Sequence, residues 1–247
     1  MSELKAFIIH LERSAQRRPQ VERLRAALPC ASEILDATDG ARLTPDELAR
    51  AYVRQARRPR YPFGLNRAEI GVFLSHRAAW RRILAEGLDY ALVFEDDCEI
   101  DAAAFARTCA LARETRALWS YALAPSNKTR LRGGTLAQGQ GVALIRPDNP
   151  PLRAIAQFVT ADAARKLLAV TEPFDRPIDT FLQMSWVTGV ELLALTPSGV
   201  RDASAALGGS TIQARSKPLG QRLAREIGRP LYRAQVRLWH ALAKRPE

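Results

Sequence analysis

An α/β domain with a largely parallel sheet is the fold class this sequence predicts, on three observations. Short apolar runs of strand length alternate with amphipathic stretches that carry helix-capping signatures. The 247 residues are 47% hydrophobic, enough for one sizeable core. Three consecutive acids, Glu95-Asp96-Asp97, follow directly on the apolar run Ala91 to Phe94. Open α/β sheets gather their ligands beyond the carboxyl ends of such strands.

Leu4 to Leu11 reads as a buried strand, and Ser14 to Leu28 as a basic amphipathic helix. Ser32 to Leu35 gives a second short strand, followed by a loop with Asp36, Asp39 and Gly40 where a ligand has room to sit. Thr44-Pro45-Asp46-Glu47 is a capping box with proline at the first helical position, so a helix follows through Tyr52. Arg54 to Phe63, with four arginines and two prolines, predicts a basic loop. Asn66 and Glu69 cap a long helix whose apolar positions Ile70, Phe73, Leu74, Ala78 and Ile83 lead to Gly87. Tyr90 to Phe94 is the next strand, and Asp101 to Arg116 returns as a helix. Trp119 to Leu123 and Val142 to Ile145 are further strands, separated by a glycine-rich segment, Pro125 to Gly141, with no assignable periodicity. Thr160 to Val170 and Ile178 to Val187 read as helices, and Val190 to Leu195 as a late strand.

No stretch approaches the roughly 20 apolar residues of a transmembrane helix. The apolar run Ala6 to Leu11 is too short for a signal peptide, so a cytoplasmic protein is expected. Three cysteines, Cys30, Cys98 and Cys109, have neither disulfide-framework nor zinc spacing. The formal charge of +11 calls for an anionic partner: nucleic acid, a membrane surface or a phosphorylated substrate. Much of that excess lies after Arg215, where eight further basic residues face only Glu226 and Glu247.

Carboxylates leaving a buried strand suit Mg²⁺ or Mn²⁺, and such an ion bridging a diphosphate would offset charge on a nucleotide leaving group. A solvated acidic turn that caps the next helix explains the same three residues, and the triplet alone slightly favours that reading. His76 on its helix reads first as a hydrogen-bonded structural residue and second as a substrate contact, and Glu69 reads as the capping acid partnered by Asn66.

Taken together, the motifs resemble the lipooligosaccharide-type transferases of glycosyltransferase family 25. The resemblance rests on Ile8 to Ser14 with Arg17-Arg18, on Asp36 to Gly40, on Leu65 to Trp80 with Ser75-His76, and on Ala91 to Asp97. It continues through Phe158 to Thr160, Pro177-Ile178-Asp179 and Ser210-Thr211-Ile212, so that order and spacing hold over residues 6–212. Three positions depart from the family pattern: His10 where asparagine is usual, Val72 where cysteine is usual, and Gln157-Phe158 in place of a small residue and tyrosine.

The resemblance implies a GT-A-like, Rossmann-type domain over residues 1–212 and an inverting transfer from a nucleotide sugar. UDP-galactose is the first expectation, ahead of glucose and N-acetylhexosamine donors, with a lipooligosaccharide or other surface glycan as acceptor. It assigns Asp97, with Glu95, to an Mn²⁺ or Mg²⁺ ion. Donor contacts fall to Leu11, Arg13, Arg17, Asp39, Gly40, Glu95, Asp96 and Ser210. Asp179 is the base, placed in the first turn of a helix led by Pro177, with Asp175 as its fallback and Glu172 behind. The last histidine after His76 is His240, so the metal's remaining ligands are expected from water and diphosphate.

Residues 213–247 form a basic amphipathic tail in which Leu219, Leu223, Ile227 and Leu231 recur every four residues. Pro230 predicts two short helices there. Two readings stand open: a segment lying in the headgroup plane of an anionic membrane on its inner face, or a packed helix with a solvated arginine side. Either way the tail is expected to be segregated from the strand-end site. Two other functions compete with transfer: a nucleic-acid-binding protein, motivated by charge, and a catalytically degenerate homologue that only binds glycans.

Overall fold

The computed structural model describes residues 4–207 and 219–243; in the last helix the side chains described are those of 228–240 and 242. In chain order the elements are β1 (Lys5–His10), α1 (Arg18–Ala27), β2 (Ala31–Asp36), α2 (Pro45–Ala51), α3 (Arg67–Ala85) and β3 (Tyr90–Glu95). Then come β4 (Cys98–Ile100), α4 (Ala102–Glu114), β5 (Tyr121–Leu123), β6 (Gly133–Gly139), β7 (Val142–Pro147), β8 (Ala156–Thr160) and α5 (Ala161–Val170). The last are α6 (Ile178–Leu182), α7 (Ser185–Thr188), β9 (Leu192–Thr196), β10 (Val200–Asp202) and α8 (Leu219–Ala243).

Eight strands form one sheet in the order β2-β1-β3-β8-β5-β9-β7-β6. β1 is parallel to both β2 and β3, β8 runs antiparallel to β3 and β5, and β7 antiparallel to β9 and β6. With β5 and β9 parallel, only β8 and β7 point backwards and six of the eight strands share a direction. The expected α/β architecture with a mostly parallel sheet is therefore present.

The apolar runs owe their continuity to burial on both faces. In β1, Phe7 and Ile9 enter the core with α3 and α5, while Ala6 and Ile8 enter the core on the opposite face with α1 and α4. β3 divides in the same way, Val93 to one side and Leu92 and Phe94 to the other. Phe73 of α3 stacks on Phe174 at 3.8 Å and meets Phe181 edge-on at 5.5 Å, which fixes α6 against α3.

Both predicted capping boxes form, at Thr44 with Glu47 and at Asn66 with Glu69. Other expectations give way. The segment Pro125 to Gly141 contains β6, an edge strand whose glycines hide any alternation. β8, five buried residues between β3 and β5, escaped because a short strand leading straight into a capped helix carries little periodic signal. The helix expected over Ile178 to Val187 breaks at Gln183-Met184, where buried Met184 leaves helical geometry, giving α6 and α7. Pro230 does not divide the tail: α8 is one helix, and packing of its far half onto the domain outweighs the local proline penalty. The 212/213 boundary lies outside the described residues. No helix among the described residues is long and apolar enough to cross a membrane.

Candidate functional site

The carboxyl ends of β2, β1 and β3 lie side by side, because the three strands are parallel neighbours in register. The loop after β2 is pressed onto the start of α3: a Cβ on Gly40 would stand 1.8 Å from the Arg67 carbonyl oxygen, and one on Gly71 2.5 Å from that of Thr38. One turn along, Ser75 Oγ accepts a hydrogen bond from the Thr38 amide at 2.8 Å. Gly40 thus serves close packing that holds the loop in place.

The three acids after β3 have different surroundings. Asp96 is buried and saturated by charge partners, with Arg17 donating to Oδ1 at 2.6 Å and His10 Nδ1 at 2.8 Å from Oδ2. Glu95 accepts from His76 Nε2 at 3.0 Å. The direction of that bond follows from the groups behind it. Gln157 Nε2 donates to the Ala154 carbonyl, which can only accept, so the amide orientation is fixed. The second hydrogen of Nε2 points at His76 Nδ1, 3.2 Å away, and leaves Nε2 as the protonated nitrogen that faces Glu95. Tyr121 donates to Gln157 Oε1 and completes the buried chain.

Asp97 has no such partner. Its Oδ1 is buried without a hydrogen bond, and the nearest cation, Arg17, is 3.9 Å from Oδ2. Burial, and then the charge of Glu95, push the Asp97 carboxyl up from 3.8 to about 7, against the pull of Arg17. A buried carboxylate oxygen left unpaired beside a second carboxylate fits a hard divalent cation. Among the described residues no group of three or more His, Cys, Asp or Glu is arranged to hold a metal, so a cation on Asp97 and Glu95 would complete its shell from substrate oxygens and water.

Glu95 and Asp97 open into a cavity of about 540 Å³. Asp179 lies on its wall in the first turn of α6, its Oδ1 taken by Thr180 and its Oδ2 accepting only the Arg153 amide at 3.2 Å. The fallback Asp175 does not reach the cavity: it is fully buried, with one oxygen on Arg176 at 2.7 Å and the other on Arg176 and the Arg57 amide. Glu172 is paired with Arg77 and also lies outside the cavity.

Leu11, Arg13 and Asp39 line a second cavity of about 340 Å³, at the ends of β1 and β2. Arg13 is exposed and bridges to Asp39 at 2.8 Å. Arg17, grouped with Arg13 by sequence, is instead buried against Asp96. Ser210 lies outside the described residues.

Several cavity residues were missed by sequence reasoning. Arg153 pairs with Asp202 across the cavity mouth, and Asp202 ends β10, whose pairing with β4 sets it beside the acidic turn. An acid closing a late strand was the available signal. Arg229, Tyr232 and Arg233 of α8 also line the cavity, so the tail is not segregated from the site as expected. Tyr232, Val236 and His240 form its buried face, and Tyr232 OH accepts from Arg176 at 2.6 Å. Arg176 stands three residues before Asp179, which ties the tail to the lead-in of α6.

Paired acids at the carboxyl edge of such a sheet line a cavity where an α/β protein gathers its ligands. A family model for glycosyltransferase family 25 (LPS biosynthesis protein) matches residues 3–138. The chain belongs to this family of transferases. A glycosyltransferase 25 family member of Drosophila pseudoobscura pseudoobscura is 26% identical over 71% of this chain and 29% of its own length. The inactive glycosyltransferase 25 family member 3 of Homo sapiens is 28% identical over 71% of the chain and 30% of its own. Procollagen galactosyltransferase 2 of Homo sapiens is 32% identical over 38% and 17%. The chain thus spans less than a third of the length of these relatives.

Proposed function

We propose that this protein transfers a hexose, galactose first, from a UDP-sugar to a glycan of lipooligosaccharide type, with inversion and with a divalent cation at Asp97 and Glu95. The observation that carries the reading is the buried, unpaired Oδ1 of Asp97, a residue on the wall of the cavity that Asp179 also lines. Family membership and the galactosyltransferase named among the relatives support the reaction class and the sugar.

In this reading the nucleoside lies over the Leu11, Arg13 and Asp39 cavity and the sugar reaches the larger one. A cation held there supplies positive charge against the departing diphosphate. Asp179 accepts the acceptor hydroxyl's proton as its oxygen bonds to the anomeric carbon; the carbon–oxygen bond to phosphate breaks and its electron pair leaves with the UDP. His76 holds Glu95 and the Arg17–His10 pair holds Asp96, so that the turn presents Asp97 at a fixed point. Arg229 and Arg233, with no ion pair among the described residues, give the far wall a positive charge suited to an acceptor that carries phosphate or carboxylate.

The test is a panel of UDP-galactose, UDP-glucose and UDP-N-acetylhexosamines with Mn²⁺, read as nucleotide release with and without acceptor. Release from one donor that requires both metal and acceptor is expected. The existence of inactive relatives favours a glycan-binding role as second reading, and binding of acceptor without turnover of any donor would establish it. The nucleic-acid alternative leaves the unpartnered Asp97 unexplained; steeply salt-dependent DNA binding, indifferent to UDP-sugars, would revive it.

A further inference from the structure

We infer that the outward face of α8, together with the neighbouring arginine loop, docks this protein on an anionic membrane surface. Six large hydrophobic side chains are exposed among the described residues, and four of them, Leu231, Leu238, Trp239 and Leu242, belong to this one helix. At about 100° per residue the three leucines fall within an arc of roughly 40°, and that arc is centred about 140° from the face of Tyr232, Val236 and His240 that packs on the domain. Burial of the inner face therefore does not explain the outer one. Leu231 is 61% exposed, Leu238 60% and Leu242 50%, which for leucines at helical spacing describes a stripe awaiting an apolar medium.

Charge selects the medium. Leu231 and Trp239 border a groove of about 420 Å³ whose other bank is the loop carrying Arg58 and Arg60. Both arginines are exposed, and neither makes an ion pair or hydrogen bond among the described residues. Trp239 is stacked on Trp186 at 6.0 Å and belongs to the packed side, so the outward face is the leucine stripe alone; with unpaired guanidiniums alongside, it matches the boundary between acyl chains and anionic headgroups. A protein partner would call for paired polar groups at the rim, whereas a bilayer needs only apolar depth and negative charge. Arg229 and Arg233, which line the cavity, lie about 160° around the helix from the leucine stripe, so docking through the stripe leaves that wall turned away from the bilayer.

The experiment is co-sedimentation of the full chain with vesicles of phosphatidylcholine alone and of phosphatidylcholine with phosphatidylglycerol, with light scattering on the vesicle-free protein. It uses no donor, so its outcome is independent of transfer. Expected are binding to anionic vesicles at least about tenfold tighter than to neutral ones, and weakening by salt. Leu231→Gln/Leu238→Gln/Leu242→Gln should lose binding even at low salt, and Arg58→Gln/Arg60→Gln should lose the preference for phosphatidylglycerol. Should the leucine variant unfold, judged by its melting curve, the arginine variant carries the test. Equal binding to both vesicle types overturns the inference, as does unchanged binding by either folded variant. A vesicle-free dimer that the leucine substitutions dissolve would assign the face to a second copy of the chain instead.

Discussion

The two walls of the large cavity are built by opposite means. At the end of β3 each acid but one is locked: Asp96 between Arg17 and His10, Glu95 on a histidine whose tautomer is set by Gln157 and Ala154. Across the cavity, α8 packs through Tyr232, Val236 and His240, and Arg229 and Arg233 are exposed with no ion pair among the described residues. In the proposed reading, the wall with one unsatisfied group in a rigid frame fixes where chemistry happens, and the wall of long, solvated side chains on a docked helix selects what enters.

The first way to break this contrast is Asp179→Asn, which keeps size and removes basicity between the two walls. Acceptor glycosylation should fall by ~10²–10⁴-fold while UDP-sugar binding, measured by calorimetry, is retained. Transfer within a few-fold of wild type would remove Asp179 from the reaction.

Next in size is the rigid wall itself. His76→Ala leaves Glu95 without its donor and should weaken Mn²⁺ binding by about 10–100-fold, with His76→Asn recovering part of the loss. A kcat loss with Mn²⁺ affinity unchanged would show that Glu95 does not depend on the histidine.

The soft wall should respond more mildly and selectively. Arg229→Ala with Arg233→Ala should raise KM for a phosphorylated acceptor by on the order of tenfold and leave that for its dephosphorylated counterpart nearly unchanged. An equal rise for both would make α8 a structural cover only.

The smallest effect is on stability. In metal-free protein Asp97 binds a proton up to about pH 7, whereas the unfolded chain releases it near the ordinary 3.8. The folded state therefore holds the extra proton within that window, and the stability linked to it is lost as pH rises from about 4 through about 7. Asp97→Asn, which does not titrate, should melt a few degrees above wild type at pH 8 in chelator, with the gap closing toward pH 4, since ~1 kcal/mol moves Tm by roughly 2–4 °C at this size. Added Mn²⁺ should stabilise wild type and not the variant.

Much of the rigid wall was legible in the sequence. Strands buried on both faces read as continuous apolar runs, capping boxes mark helix starts, and acids emerging from Ala91 to Phe94 fall at the sheet edge. What separates Asp96 from Asp97 was not legible, because it depends on Arg17 and His10 arriving from β1 and the turn after it, some eighty residues away. Grouping Arg17 with Arg13 failed to anticipate that one would be buried and the other exposed. For the soft wall, a packed helix with a solvated arginine side was one of the two readings left open, and its place on the cavity was missed. Nothing local in α8 says that Tyr232 will meet Arg176, and the proline rule pointed to a break where tertiary packing sustains one helix.

In the proposed reading Asp97, whose Oδ1 alone of the rigid wall's acid oxygens is buried without a hydrogen bond, holds the cation that transfer requires. Titrating Mn²⁺ into wild type and Asp97→Asn, with UDP-galactose and acceptor present and UDP release as readout, tests it most directly. Saturable activation of wild type is expected, with no activation of a variant that melts cooperatively. Metal-independent release by wild type, or the same activation curve for both proteins, would contradict it.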